Sequence, residues 1–80
     1  MSMSASEIET WMRQSIATAL GVYVDEVGVE APFDELGLDS VTSLELIGAL
    51  EEKLDRTISP RLMEKHHTIR ALAAHLAAGG

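Results

Sequence analysis

The residues best suited to chemistry are Leu38-Asp39-Ser40, which are followed at once by an apolar and acidic run from Val41 to Ile47. Asp39 and Ser40 are both good helix-capping residues, so this pattern places a serine hydroxyl where a loop gives way to a helix. The first turn of a helix has free backbone N–H groups and a positive dipole end, and both favour an attached phosphate. We therefore expect the chemistry of this chain to be centred on Ser40, with a modifying group supplying the reactivity.

Two other roles for Ser40 need separate consideration. A hydrolytic nucleophile requires an activating base and a strained turn with glycines two residues to either side, but Leu38 and Thr42 occupy those positions. The three histidines all lie far along the chain, at His66, His67 and His75. A hydrolase is therefore disfavoured, and we predict no catalytic residues and no enzyme activity. Without its neighbours, Ser40 would be interpreted as a plain helix cap.

The sequence predicts no metal site. The acids between Asp34 and Asp39 do not match a calcium loop, because Leu36 and Leu38 stand where oxygen ligands are required. The adjacent pair His66-His67 could bind a metal, but such a pair on a turn more often lies at the surface without a ligand role. The chain has no cysteine, which excludes disulfides and thiolate ligands.

The size of the chain indicates one domain, since 80 residues provide only a single small core. We predict a single domain over residues 1–80, with about residues 1–5 disordered and 6–78 forming a helical bundle. No apolar run approaches the roughly 20 residues of a membrane span, and the N-terminus lacks the basic and apolar parts of a secretory signal. A cytoplasmic monomer without a membrane partner is therefore expected.

The charge distribution indicates the kind of partner. A formal charge of −7 argues against nucleic acid, which requires a basic patch. Acids dominate from Asp25 to Asp55, where Lys53 is the only base. Such a surface should attract basic patches on other proteins. The alternative, that the acids only keep a small domain soluble, stays open.

Hydrophobic periodicity predicts an all-α four-helix bundle of three longer helices and one short helix, with a long loop between the first and second. The first helix should span about residues 6–20, with Ser6 and Glu9 forming a capping box. The second should begin at residue 39 or 40 and end at 54 or 55. Ser59-Pro60 predicts a short helix over residues 61–65, and Thr68 should cap the last helix.

The second helix carries two stripes at helical spacing. The inward stripe consists of Leu46, Ile47, Leu50 and Leu54. The other, which we call the docking face, consists of Val41, Leu44, Glu45, Gly48 and Glu52. A helix with one buried stripe has no structural need for apolar residues on a second, so we interpret this face as a partner-binding surface. The alternative, that Val41 and Leu44 widen the buried arc, stays open.

The segment Gly37-Leu38-Asp39-Ser40, with the following Leu44-Glu45-Leu46 and Leu50-Glu51, closely resembles the attachment motif of acyl carrier proteins. Phe33 with Leu36-Gly37, and the run from Thr68 to Ala73, extend the resemblance over nearly the whole chain. It implies that a phosphopantetheinyl transferase moves phosphopantetheine from coenzyme A onto the Ser40 hydroxyl, with Asp39 as its neighbour in the site. The thiol of that arm would then carry acyl groups as thioesters.

The resemblance also implies partners. The docking face matches the recognition helix of the family, which basic docking patches of the transferase, an acyltransferase, a ketosynthase or other synthase enzymes would bind. It implies a carrier that shuttles acyl intermediates in a polyketide or fatty-acid-type pathway, with cargo sheltered between the second and third helices against residues such as Leu46, Ile58 and Leu62. Leu38-Asp39 favours the acyl over the peptidyl class. The alternative is a carrier-like adaptor that is never loaded and binds enzymes through its acidic second helix.

Overall fold

The computed structural model describes residues 3–79 and contains four α-helices. They are α1 (Ala5–Leu20), α2 (Ser40–Leu54), α3 (Leu62–Lys65) and α4 (Ile69–Ala77). The long loop between α1 and α2 contains one 3-10 turn, Val24–Glu26. The only β pairing in the described part is an isolated bridge between Pro32 and Thr68. The predicted all-α architecture, with three longer helices, one short helix and a long first loop, is confirmed.

The start of α1 differs from the prediction. The capping box is formed by Ser4 and Glu7, whose side chains each accept a hydrogen bond from the backbone N–H of the other, at 3.1 and 2.8 Å. The predicted box of Ser6 and Glu9 is therefore wrong. Both pairs fit the motif, but the earlier start adds two residues to the helix, and each added residue completes another backbone bond.

The ordered part of the chain also starts earlier than predicted. Met3 packs against the core and Ala5 is already helical. The predicted disorder of residues 1–5 is therefore wrong from residue 3 onward, and residues 1 and 2 lie outside the described part.

Within residues 3–79, none of the helices has the length and apolar character that a membrane span requires.

The core lies where the inner faces of the three longer helices meet. α2 contributes Leu46, Ile47 and Leu50, as predicted, while Leu54 is only half-buried. α3 contributes Met63, and the faces of α1 and α4 contribute the remaining helical core residues, which are Ile8, Met12, Ile16, Ala17, Ile69, Leu72, Ala73 and Leu76. Burial of these apolar faces holds α2 in place and fixes which of its residues face solvent.

The long first loop is fastened to the bundle by side chains and by backbone. Val27 and Phe33 are buried in the core. The Arg13 guanidinium donates to two loop carbonyls, from Nε to Val27 at 3.0 Å and from Nη2 to Val24 at 3.1 Å. Further along, the Phe33 N–H donates to the His67 carbonyl at 2.8 Å. The loop is therefore tied to α1 and to the segment before α4.

Side-chain hydrogen bonds also define the ends of the shorter elements. The Glu51 carboxylate accepts from the Ile58 N–H at 2.8 Å, which ties the connection after α2 back onto that helix. The Ser59 hydroxyl accepts from the Arg61 N–H at 3.3 Å, so the predicted turn forms and α3 begins one residue later than expected. Thr68 caps α4 as predicted, accepting from the Ala71 N–H at 3.1 Å.

Candidate functional site

Ser40 is the first residue of α2 and is exposed to solvent. Asp39 is the N-cap: its Oδ1 accepts from the Thr42 N–H at 2.7 Å, and its carbonyl accepts from the Ser43 N–H at 2.9 Å. The capping role that the sequence left open between two residues therefore belongs to Asp39. The Ser40 hydroxyl is not consumed by the cap, so it is available to a reaction partner.

The Asp39 carboxylate is held in its charged form. The backbone N–H of Thr42 lowers the pKa of Asp39 below its ordinary value, since a hydrogen bond to the charged oxygen favours that form. A negative charge at this end of the helix also interacts favourably with the helix dipole. Because Asp39 already satisfies the Thr42 N–H, that donor is not available to a group attached to Ser40.

Gly37 shapes the approach to this helix start. Its φ of +88° lies in the left-handed region, which side-chain-bearing residues rarely adopt. Its N–H donates to the Asp34 carbonyl at 3.3 Å, closing a turn just before Leu38 and Asp39. The glycine of the sequence motif is therefore needed for the backbone geometry that presents Ser40.

Two clefts lie against α2, one on either side of its first turns. The larger, about 810 Å³, is open to solvent, and Ser40 lies on its wall together with Leu38, Leu44 and Met63. The smaller, about 270 Å³, lies between α1 and α2 and is lined by Ile16, Ala19, Leu38 and Leu46. The larger cleft is within the usual size range of small-molecule sites.

Of the three residues expected to shelter cargo between the second and third helices, only Leu46 lines a cleft beside α2, and that cleft is on the other side of the helix. Leu46 lines the smaller cleft, on the α1 side of α2. Ile58 is fully buried and Leu62 half-buried, and neither lines either cleft beside α2. The Ile58 side chain belongs to the hydrophobic core, and its backbone N–H donates to the Glu51 carboxylate.

The histidines are placed in a way that sequence reasoning did not predict. His67 lines the same cleft as Ser40, although within residues 3–79 no hydrogen bond joins the two side chains. His66 stacks on His75, with 4.2 Å between ring centroids. Burial, and then the charges of His75 and Lys65, lower the pKa of His66 below its ordinary value. Among the described residues, no group of three or more carboxylate or imidazole side chains is arranged to hold a metal ion.

The docking face is exposed along its whole length. Val41 is 66% exposed and Leu44 is 56% exposed, and the other three members are exposed as well. The alternative that Val41 and Leu44 widen the buried arc is therefore wrong. These two residues form an apolar strip on the outside of α2, bordered by the carboxylates of Glu45 and Glu52. A surface of this kind suits a partner that is apolar at its centre and basic at its edge.

A second exposed apolar cluster was not singled out from the sequence. Tyr23 is 81% exposed, and its neighbours Val22 and Val24 are 39% and 38% exposed. Residue type and spacing do not distinguish the valines of the loop. The folded chain shows that Val27 enters the core, whereas Val22 and Val24 stay at the surface. No sequence signal separates them.

The site fits a phosphate-linked group, because an exposed hydroxyl stands at a helix N-terminus beside an open cleft. Comparison with known proteins agrees with this chemistry. The family described as "Phosphopantetheine attachment site" matches residues 10–76. The chain is 38% identical over 73 residues to a phenolphthiocerol/phthiocerol polyketide synthase polypeptide of Mycobacterium tuberculosis. That match covers 91% of this chain but only 4% of the relative.

Solved structures of similar shape are carrier proteins. A free-standing peptidyl carrier protein from an uncharacterized secondary metabolic pathway of Acinetobacter baumannii is similar, with a TM-score of 0.89 and 26% identity over 95% of each chain. An acyl carrier protein from Anabaena with a variant phosphopantetheinylation-site sequence has a TM-score of 0.87 and 33% identity. The match covers 94% of this chain and 85% of the Anabaena protein.

Proposed function

The chain belongs to the phosphopantetheine attachment site family and is a carrier domain for a covalently attached phosphopantetheine, and we propose that Ser40 is the attachment residue. The observation that carries this assignment is that Asp39 and Ser40 have different roles at the start of α2. Asp39 makes the capping bond, so the exposed hydroxyl of Ser40 has no structural role in the cap.

Each residue of the site has a specific role in this proposal. Ser40 would hold the group through a phosphodiester, and Gly37 and Asp39 fix the backbone on which the hydroxyl is presented. Leu38, Leu44 and Met63 form an apolar part of the cleft wall beside Ser40. When bound, the group supplies a terminal thiol that carries acyl chains as thioesters, a function the cysteine-free chain cannot provide itself.

Carrier domains of this family work together with synthase enzymes, and we propose that those enzymes bind the docking face. Its apolar strip and flanking carboxylates suit the basic docking patches of a phosphopantetheinyl transferase, an acyltransferase or a ketosynthase. The contact should be small and transient, because a shuttle must leave each enzyme after each step. Opposite charges increase the rate of encounter without requiring a large interface.

The pathway and the setting are also proposals. The similarity to a polyketide synthase of M. tuberculosis supports a role in polyketide or fatty-acid-type biosynthesis. Residues 1–80 would form one carrier domain that acts as a cytoplasmic monomer and catalyses no reaction itself.

The attachment residue can be tested by incubating the chain with coenzyme A and a broad-specificity phosphopantetheinyl transferase. Intact mass spectrometry should show the addition of one phosphopantetheine. Ser40→Ala should stay unmodified. Ser43→Ala is the matched control, because Ser43 lines the same cleft one turn further along α2, and this variant should be loaded normally. Loading of Ser40→Ala would overturn the assignment. Failure to load the folded parent would favour the adaptor that is never loaded.

A further inference from the structure

Gly48 lies in the interior of α2, yet the fold gives no reason for a glycine there. A Cβ built at this position meets no atom within 4 Å apart from its chain neighbours and the nearby backbone of α2, and the φ of Gly48 is not among the positive values of the chain. Glycine in a helix interior is less stable than alanine, because the unfolded chain gains more conformational freedom. The missing side chain is therefore a cost to the fold without a compensating contact inside the molecule.

The position of Gly48 is central to the docking face. At 3.6 residues per turn it lies one turn after Leu44 and one turn before Glu52, with Glu45 beside it. All three neighbours are exposed. The glycine therefore leaves a notch in the surface, with an apolar side chain at one end and carboxylates at the other end and the side.

The notch is close enough to Ser40 to be covered by any enzyme that acts on that residue. Gly48 is eight positions after Ser40 in the helix, which corresponds to about 12 Å along the axis. Even a small, transient interface that buries about 600 Å² on each partner covers the area of a disc of roughly 14 Å radius. An enzyme whose reaction centre is at Ser40 and whose footprint follows α2 must therefore contact residue 48.

We propose that Gly48 forms a receiving notch for the phosphopantetheinyl transferase, which inserts one projecting apolar side chain flanked by a lysine or arginine. The apolar group packs against Leu44, and the cation lies near Glu45 or Glu52. The choice of a basic partner rests on charge complementarity with these two carboxylates. The inference rests on the proposed attachment at Ser40 and adds the residue that shapes enzyme recognition.

The experiment measures loading kinetics of the unmodified chain with coenzyme A and a broad-specificity transferase, together with the affinity of the two proteins and the melting temperature of each variant. Gly48→Ala should raise KM for the carrier about threefold and Gly48→Leu at least tenfold, with kcat little changed, because the added side chain obstructs docking and not the chemistry. Both variants should melt at or above the temperature of the parent, since better helix formers replace glycine without a clash. Ala74→Leu, which places the same leucine side chain at an exposed position of α4, is the matched control and should load like the parent.

Each outcome is decisive. An unchanged KM and affinity in Gly48→Leu would overturn the notch and leave the attachment at Ser40 standing. An equal loss in Ala74→Leu would also overturn it, because the effect would not be local to the docking face. No loading of the parent would overturn the attachment proposal itself, and the notch with it.

Discussion

Replacing Arg13 with methionine should loosen the long first loop. The substitution keeps the apolar stem but removes the guanidinium, which donates to the carbonyls of Val27 and Val24. The bond to Val27 is part-buried, so its loss leaves an acceptor with reduced access to water. The bond to Val24 is exposed, and water can replace it at little cost.

The expected loss of stability follows from how far each of the two hydrogen bonds is shielded from water. A hydrogen bond from a charged donor contributes about 1.5–3 kcal/mol. Because the Val27 bond is only part-buried and the exposed Val24 bond adds little, we expect about 1.5–2.5 kcal/mol from the pair. A domain of this length has a total stability of roughly 4–12 kcal/mol. Since 1 kcal/mol shifts the melting temperature of such a domain by about 4–8 °C, Arg13→Met should melt about 6–20 °C lower.

The assay combines thermal denaturation followed by circular dichroism with hydrogen exchange of the 3-10 turn. The N–H groups of Glu26 and Val27, which bond the carbonyls of Tyr23 and Val24, should exchange faster in the variant. Arg61→Met is the matched control, because it removes the same charge from an exposed arginine in the turn before α3. A melting temperature within about 1 °C of that control would refute the reasoning and show that Val27 and Phe33 hold the loop without Arg13.

Two further predictions concern helix starts. The lowered pKa of Asp39 means that its carboxylate stabilises the folded state at neutral pH, and that this contribution is lost as the pH falls through the lowered folded value, below about pH 4. The difference in melting temperature between the parent and Asp39→Asn should therefore shrink between pH 6 and pH 3, and a constant difference would contradict this. Thr68→Ala should lose about 1 kcal/mol in urea denaturation, because Ala71 N–H loses its acceptor, while Thr68→Ser should retain most of that stability. Equal losses in both would show that the hydroxyl is not what stabilises α4.

Local patterns in the sequence determined the helices and the placement of the candidate site. Recurrence of apolar residues at helical spacing predicted the buried face of α2, and capping preferences predicted that α2 begins at residue 39 or 40 and that Thr68 caps α4. These signals work because a helix start and a helix face depend on residues within a few positions of each other. Local patterns misplaced the start of α1, because the sequence predicted a capping box at Ser6 and the structure uses Ser4.

Tertiary structure alone decided the contacts between residues far apart in the chain. The bonds from Arg13 to the loop, the placement of His67 in the cleft of Ser40 and the stacking of His66 on His75 all join segments that no local pattern relates. The exposure of Val41 and Leu44 belongs to the same class, because it depends on which side of α2 the other helices occupy. Hydrophobic burial specifies that a face is covered, but chain topology specifies what covers it, and therefore which apolar residues remain outside for a partner.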